Sequence, residues 1–170
     1  MGQVVPEDRR AALPTSDPKV EEIAGAVLTA SRVMVAIAAR SLAGQSEDVT
    51  LPQFRTLVVL ASRGPLRLAD LADELAVDPS TATRLCDRLS RKRMISRRQS
   101  REDRREVRIG ISTKGERLLA LVTERRRAEI ARIVARIPPD RRRELLDAFT
   151  LFGAAAGEIP DPDWSADWEF

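Results

Sequence analysis

The most regular pattern of apolar and polar positions lies between residues 78 and 94. Four apolar side chains recur there at steps of three and four residues, which places them on one stripe of a helix: Ala82, Leu85, Cys86 and Leu89. Asp78 belongs to the residue types that cap free amides, and Pro79 suits the first helical position, where its missing N–H costs nothing. The pattern therefore predicts a helix that starts at Asp78 and buries one side.

Two helices are predicted upstream by the same kind of signal. Asp17 and Pro18 form the same pair of capping residue and proline as Asp78 and Pro79. Apolar residues at helical spacing continue for a long stretch after them. Turn-forming residues 44–50 follow this first helix, and a second helix opens at Leu51 and ends at Gly64.

A short extended piece at residues 66–68 leads into a third predicted helix. The inward positions of this helix follow the helical period: Leu71, Ala72 and Leu75. Val77 and Asp78 then form a tight turn, so the third helix meets the helix that starts at Asp78 at a sharp angle. Two short helices joined by such a turn are the helix-turn-helix arrangement.

After these helices the apolar period changes to two. Residues Ile95–Gln99 form one predicted strand, and the segment SREDRR, residues 100–105, follows as a charged hairpin tip. Every second residue is apolar on the next predicted strand: Val107, Ile109 and Ile111. A β-hairpin directly after a basic helix is typical of the wing of a winged helix-turn-helix, and an ordinary solvated hairpin is the alternative.

Two more helices complete the predicted fold. Ser112 or Thr113 caps a long helix that Pro138 ends, and Asp140 caps the last helix. The long helix is expected to have these residues on its apolar side: Leu118, Leu121, Val122, Ile130, Ile133, Val134 and Ile137. The last helix has its inward residues at helical spacing: Leu145, Leu146, Phe149, Phe152 and Ala156. The small central module cannot cover the apolar stripes of all the terminal helices, so we expect these helices to pair with a second subunit.

The predicted fold class is therefore mainly α with a small β-hairpin wing. A winged helix-turn-helix at about residues 61–113 is flanked by dimerisation helices at about 17–43 and 113–157. These segments are expected to form a single domain over residues 17–157.

The chain's charge is unevenly distributed, although its net value is only +3. Segment 84–117 holds thirteen basic and five acidic residues, whereas residues 158–170 form an acidic tail without a basic residue. Most basic residues are arginines, whose planar guanidinium suits two-point contacts to phosphate and guanine. A basic centre of this strength predicts a polyanionic partner, double-stranded DNA. Residues 1–16 have no apolar period and are expected to form a mobile arm.

Other function classes are disfavoured by what the sequence lacks. The chain has no histidine and one cysteine, so the commonest metal ligand and general base is missing and no internal disulfide can form. We therefore expect no enzyme activity, no metal and no cofactor. From the sequence we identify no apolar run close to the length of roughly 20 residues that a membrane span requires, and no secretory signal. The protein is therefore expected to be cytoplasmic and to have no membrane partner.

The polar side of the helix after Asp78 carries the candidate DNA contacts. Short hydroxyls near a helix start and arginines one turn apart suit a helix that lies in a major groove. The residues predicted to face outward are Ser80, Thr81, Thr83, Arg84, Asp87 and Arg88. A solvated helix face is the alternative. Arg97, a basic residue of the first wing strand, is a further candidate contact.

The order of elements and two stretches resemble the MarR family of bacterial transcription regulators. The stretches are LPQFRTLVVLASRGPLRLADLADELAVDPSTATRLCDRLSRKRMISRR and EDRREVRIGISTKGERLL, and the Asp-x-Arg of the family's wing falls on Asp103 and Arg105. The resemblance implies a homodimer shaped like a triangle that grips a palindromic operator, as a repressor or an activator. It also implies a small aromatic or phenolic effector between the dimer helices and the DNA-binding lobe.

Some residues depart from the family's pattern or offer little support for what the resemblance implies. Arg93 occupies a place where the family often has glycine as a left-handed helix cap. Cys86 lies on the inward stripe, where packing is favoured over a redox role. The polar groups available to an effector pocket are few, and each is more readily explained as structural or exposed: Ser31, Arg32, Arg40 and Arg55.

Two functions from different classes remain. The leading hypothesis is a sequence-specific, dimeric DNA-binding regulator. The alternative is a winged-helix module that binds DNA non-specifically or binds another protein. Outward Arg84 and Arg88 beside hydroxyls favour base reading over simple neutralisation of charge.

For Asp103 and Arg105 the sequence predicts a more specific role in the wing. Residues two apart on an extended strand point to the same side, so the Asp103 carboxylate can hold the Arg105 guanidinium in one orientation for a narrow minor groove. An exposed ion pair without a function is the alternative.

Overall fold

The computed structural model describes residues 17–43, 48–99 and 107–159, which contain six α-helices, a short 3-10 turn and two strands. Two compact units are distinguished, Met1–Ala36 and Ile37–Phe170. The elements are α1 (Pro18–Leu42), α2 (Leu51–Arg63), α3 (Leu68–Glu74), α4 (Pro79–Arg91), β1 (Ile95–Gln99), β2 (Val107–Ile111), α5 (Thr113–Val134), the 3-10 turn (Pro139–Arg141) and α6 (Arg142–Ala155). The predicted order of helices, hairpin and helices is confirmed.

The core lies in the second unit and is shared by α2, α3, α4, α5 and the hairpin. Its fully buried side chains include Leu57 and Leu60 of α2, Leu71 of α3, and Leu89 of α4. Burying one such leucine contributes about 1.5–3 kcal/mol relative to leaving it exposed. The stripe predicted for α4 is confirmed, because these four residues are all buried: Ala82, Leu85, Cys86 and Leu89.

Helix α5 has two apolar sides, and the sequence pattern did not separate them. Leu119 and Val122 are fully buried in the core, although Leu119 was not among the residues expected on the apolar side. Leu121 and Ile133, which were expected there, are 45% and 39% exposed. Because apolar residues occur around much of this helix, the period alone did not show which of them face the chain's own core.

Helix α1 is long and apolar enough to cross a membrane, judged by length and composition alone. The expectation that no apolar stretch reaches that length is therefore wrong for this helix. Its first part carries large exposed side chains, with Ile23 at 62% and Leu28 at 63% exposure. Its last turns differ, since Ile37, Ala38 and Ser41 are buried in the second unit. Asp17 caps the helix as predicted and accepts a hydrogen bond from the Lys19 backbone N–H at 2.9 Å.

Helix α4 starts at the predicted position, but the predicted capping hydrogen bond is not formed. Asp78 is the N-cap residue with an extended backbone, yet its side chain makes no capping hydrogen bond. Pro79 begins the helix, as expected. A complete capping box occurs instead at α2, where the Thr50 hydroxyl accepts from the Gln53 N–H at 3.4 Å and the Gln53 amide oxygen accepts from the Thr50 N–H at 3.1 Å.

Both turns that flank α4 contain a residue with a left-handed backbone other than glycine. Ala76 has φ 52° and Arg93 has φ 58°. After α3 the Val77 N–H donates to the Ala72 carbonyl at 3.0 Å, and after α4 the Met94 N–H donates to the Leu89 carbonyl at 3.0 Å. These bonds are those of Schellman caps, so the left-handed cap expected at Arg93 is present.

The hairpin pairs its strands antiparallel, with Ile95 opposite Ile111 and Arg97 opposite Ile109. Leu66 adds a bridge to Ile109 through two backbone hydrogen bonds of 3.0 and 2.7 Å, which joins the predicted extended piece to the sheet. The predicted hairpin tip, with Asp103 and Arg105, lies outside the described residues, as do the arm 1–16 and residues 160–170.

The two last helices differ in detail from the prediction. Helix α5 ends at Val134, before Pro138, and Arg142 donates to the freed Ala135 and Ile137 carbonyls at 3.1 and 3.0 Å. The side of α6 expected to face inward is not buried: Leu146, Phe149 and Phe152 are 58%, 47% and 53% exposed. That expectation is wrong for the described chain, because the helical period marks an apolar stripe but not what covers it. Leu145 is half-buried and Ala156 is exposed.

We expect Gly115→Ala to destabilise the fold by about 1–3 kcal/mol, because overpacking a filled site forces neighbours to move. A Cβ at Gly115 would lie 2.3 Å from the Met94 carbonyl oxygen and 2.8 Å from Ile111 Cγ1. Gly110→Ala is the matched control, since its Cβ would meet nothing nearer than 3.6 Å. Urea unfolding of both variants measures the difference, and equal free energies of unfolding would contradict the close packing at Gly115.

Candidate nucleic-acid interface

The outer side of α4 presents the predicted contact residues to different degrees. Four side chains are exposed: Ser80, Arg84, Asp87 and Arg88. Thr81 and Thr83 are half-buried, so their hydroxyls lie at the margin of this side. The structure therefore brings the six predicted residues onto one helix, with arginines one turn apart at its centre.

Two hydrogen bonds order the hydroxyl groups near the helix start. The Thr83 hydroxyl donates to the Pro79 carbonyl at 2.8 Å, which leaves its oxygen lone pairs as acceptors. The Arg84 guanidinium donates to the Thr81 hydroxyl at 3.1 Å. Arg84 is thereby directed toward the N-terminal turn of α4, the part of a recognition helix that contacts bases in a major groove.

An ion pair connects α4 to the wing. Arg97 of β1 donates to the Asp87 carboxylate at 2.6 Å, and both side chains are about half exposed, at 47% and 50%. An exposed pair of this kind contributes about 0–1 kcal/mol to stability. Its larger effect is to fix the Arg97 guanidinium beside the outer side of α4. The sequence placed both residues in the site but did not predict that they pair.

A cross-strand pair of arginines extends the positive surface along the hairpin. Arg98 of β1 lies directly opposite Arg108 of β2, on the side of the hairpin away from Arg97. Both guanidinium groups add positive charge to this side of the hairpin. The sequence analysis missed this pair, although the register that places Gln99 opposite Val107 would have revealed it.

The turn after α4 is held by three elements. The Lys92 ammonium donates to the Asp48 carbonyl, and Lys114 Nζ donates to the Lys92 carbonyl at 3.0 Å. The Ser112 hydroxyl donates to the Arg93 carbonyl at 2.8 Å. Arg93 itself is exposed, so its charge adds to the surface that α4 and the wing present.

Ion pairs also hold α3, which supports α4. Arg67 forms a two-point contact with the Asp70 carboxylate at 2.8 and 3.0 Å, and this hydrogen bonding lowers the pKa of Asp70. Arg63 of α2 pairs with Glu74 of α3 at 3.3 Å. The Arg67–Asp70 contact is local to the start of α3, whereas the Arg63–Glu74 pair joins α3 to α2.

Cys86 has no environment that would activate it. The thiol is fully buried in the core, and burial raises its pKa, so the reactive thiolate is disfavoured. Within residues 17–43, 48–99 and 107–159 no group of three or more Cys, Asp or Glu side chains could hold a metal ion.

A groove of about 750 Å³ lies beside α2 and α5 in the second unit. Phe54, Val58 and Ile130 contribute apolar walls, and the Arg126 guanidinium carbon lies 5.9 Å from the centre of the Phe54 ring. Arg55 also lines the groove and makes a two-point contact with Glu158, with both distances 2.9 Å.

Of the polar groups considered for an effector pocket, Arg55 is the one that lines this groove. Arg40 instead pairs with Glu129. Ser31 donates to the Leu28 carbonyl and Arg32 to the Thr29 hydroxyl, both within α1.

Comparison with known proteins gives one family. The MarR family sequence model matches residues 49–107. The chain is 44% identical to RV1404 from Mycobacterium tuberculosis, whose crystal structure it matches with a TM-score of 0.79 over 85% of this chain and 99% of that one. It is 30% identical to the transcriptional repressor MdtR of Bacillus subtilis over 91 residues, which are 54% of this chain and 59% of MdtR.

MepR from S. aureus shares the fold at lower identity. A MepR mutant bound to an oligodeoxyribonucleotide matches with 22% identity and a TM-score of 0.56, over 79% of this chain and 97% of that one. MepR bound to ethidium matches with 23% identity and a TM-score of 0.57, over 78% and 95% of the two chains. Together with the winged helix-turn-helix and its basic outer side, these likenesses show that the chain belongs to the MarR family of DNA-binding transcription regulators.

Proposed function

We propose that the protein is a homodimeric regulator that reads an inverted-repeat operator with α4 and releases it when a small effector binds. The observation that carries this proposal is the outer side of α4, where Thr81 holds Arg84 and Asp87 holds Arg97 of the wing. Guanidinium groups fixed in this way suit two-point contacts to guanine edges, which carry sequence information.

Non-specific binding through charge is the alternative, and the geometry favours reading of bases. A purely electrostatic surface needs positive charge but no fixed orientation. Here the Thr81 hydroxyl orients Arg84 and the Asp87 carboxylate orients Arg97, and each orienting group reduces the entropy that a base contact would cost. We therefore assign base reading to α4 and phosphate contacts to the turn at Arg93 and the strand pair of Arg98 and Arg108.

A homodimer is proposed because each of two helices has a large uncovered apolar side. On α1 the exposed residues include Val20, Ile23, Leu28, Val33 and Val35. On α6 they include Leu146, Phe149, Leu151 and Phe152. Exposed patches of this kind mark protein interfaces, and a two-fold dimer would present two α4 helices to half-sites about 10 base pairs apart. The same pairing explains why α1 resembles a membrane span in composition.

The groove at Phe54 is the proposed effector site. Its apolar walls and the Arg126 guanidinium fit an aromatic molecule that carries a phenolate or a carboxylate. We further propose that the protein acts as a repressor in the cytoplasm.

For the wing, we propose that Arg105, oriented by Asp103, contacts the minor groove.

Arg84→Ala and Arg88→Ala should each weaken binding to the operator, and at least one should reduce discrimination between bases by about 1–3 kcal/mol. Gel shifts with the DNA upstream of the protein's own gene, against random competitor DNA, measure both effects. Arg132→Ala is the control, because Arg132 is exposed on α5 and lies outside the proposed interface. Equal losses of affinity on operator and random DNA would show that both arginines contact phosphate only.

Asp87→Asn should weaken operator binding even though it removes a negative charge from a surface that faces DNA. The reason is that the Asp87 carboxylate holds Arg97 in place, and the amide holds it less firmly. Asp73→Asn is the matched control, since this exposed α3 residue has no ion pair among the described residues. Binding isotherms should show a loss for Asp87→Asn and not for the control. Tighter binding by Asp87→Asn would refute the positioning role.

Leu146→Glu should shift the protein from dimer to monomer, because an unpaired charge buried in an apolar interface costs several kcal/mol. Arg143→Glu is the control, since Arg143 is exposed and pairs with Asp147 on the polar side of α6. Light scattering at micromolar concentration distinguishes the two states. A wild-type chain that is monomeric under these conditions would contradict the proposed architecture.

A further inference from the structure

The groove beside α2 and α5 carries positive charge that the described residues do not balance. Arg126 and Arg127 both line it, and neither has an ion pair among the described residues. Arg126 is half-buried against Phe54, and Arg127 is exposed. The groove thus offers an apolar surface of Phe54, Val58 and Ile130 beside two unpaired positive charges.

The chain leaves α6 directly beside this groove. Gly157, with φ 70°, turns the backbone after α6, and the Glu158 N–H donates to the Gly153 carbonyl at 3.1 Å. Arg63 of α2 donates to the Gly157 carbonyl at 3.2 Å, and Arg55 holds the Glu158 carboxylate at two points.

Residues 158 and 159 therefore have fixed positions. Glu158 lines the groove, and Ile159 packs against the edge of the core. The Arg55 guanidinium lowers the pKa of Glu158, as expected for a carboxylate in this contact. Residue 160 thus begins next to the groove, and the eleven residues 160–170 can extend at most ~36 Å from it.

The chemistry of residues 160–170 complements that of the groove. The segment PDPDWSADWEF has four acidic residues, no basic residue and three aromatic side chains: Trp164, Trp168 and Phe170. Indole rings suit the apolar walls and the faces of guanidinium groups, and the carboxylates suit the unpaired charges of Arg126 and Arg127.

We propose that the acidic segment 160–170 binds in the groove of its own chain. Trp164 or Trp168 packs on Phe54 and Val58, and the neighbouring carboxylates pair with Arg126 and Arg127. The segment then acts as an internal ligand that covers an apolar surface of α2 and α5, and the proposed effector would enter the groove by displacing it. This inference does not depend on DNA binding, so a negative gel shift would leave it standing.

Tryptophan fluorescence of the full chain tests the proposal directly. The chain has two tryptophans, both in this segment, and no tyrosine, so its indole emission reports this segment alone. The folded chain should emit at a shorter wavelength than the free peptide PDPDWSADWEF, and acrylamide should quench it several-fold less. Urea should remove both differences.

Charge reversal locates the binding surface. Arg127→Glu and Arg126→Glu should each move the emission toward that of the peptide, whereas Arg132→Glu, an exposed α5 residue outside the groove, should not. Circular dichroism checks that the variants are folded, and Arg127→Glu is the safer variant because its side chain is exposed. Asp161→Asn and Asp163→Asn should cause smaller shifts in the same direction.

Three results would overturn the proposal. The first is emission and quenching of the full chain equal to those of the peptide. The second is a response to Arg84→Glu and Arg88→Glu but not to Arg126→Glu or Arg127→Glu, which would place the segment on the α4 surface. The third is loss of the shift in Leu146→Glu as it becomes monomeric, which would place the segment against a second subunit.

Discussion

The burial of one side of α4 is the constraint on which the DNA-binding surface depends. Ala82, Cys86 and Leu89 are fully buried in the core that α2 and α5 also enclose. A rotation of α4 by one residue, about 100°, would expose these side chains and bury charged ones, at a cost of several kcal/mol. The packing of the core therefore decides which way Arg84 and Arg88 point. The hydrogen bond to the Thr81 hydroxyl then fixes the orientation of Arg84 more closely.

Met94 transmits this constraint to the wing. Its N–H donates to the Leu89 carbonyl, its carbonyl accepts from the Ser112 N–H at 3.0 Å, and its side chain is 1% exposed. The left-handed backbone at Arg93 costs about 1–2 kcal/mol, and the burial of Met94 contributes an amount of similar or larger size. The turn persists because its neighbours fix it. A Cβ at Gly115 would lie 2.3 Å from the Met94 carbonyl oxygen, so the start of α5 passes close to the same turn.

Local signals predicted the elements that they determine, and the contacts between elements needed the structure. The start of α4 at Pro79, its buried stripe and the bounds of β1 depend on sequence neighbours, and all were predicted correctly. The alternation predicted for β2 is only partly present, since Ile109 is buried but Val107 is exposed. The pairing of Asp87 with Arg97 depends on the angle between α4 and the hairpin, which no local pattern contains. Asp78 shows the converse: its residue type predicted a capping hydrogen bond, but its side chain makes none.

Apolar periodicity has the same limitation at the scale of the whole chain. Leu119 and Leu121 are adjacent apolar positions on α5, but one is buried in the chain's own core and the other is 45% exposed. The helical period cannot show which of the two is buried in the chain's own core, because each belongs to an apolar stripe that has to pack against some other surface. In α1 and α6 the described chain supplies no cover for most of the apolar side. The winged module thus has a core of its own, whereas in the proposed dimer the spacing of the two α4 helices depends on helices that need a partner. Changes in α6 could then alter that spacing while leaving the outer side of α4 intact.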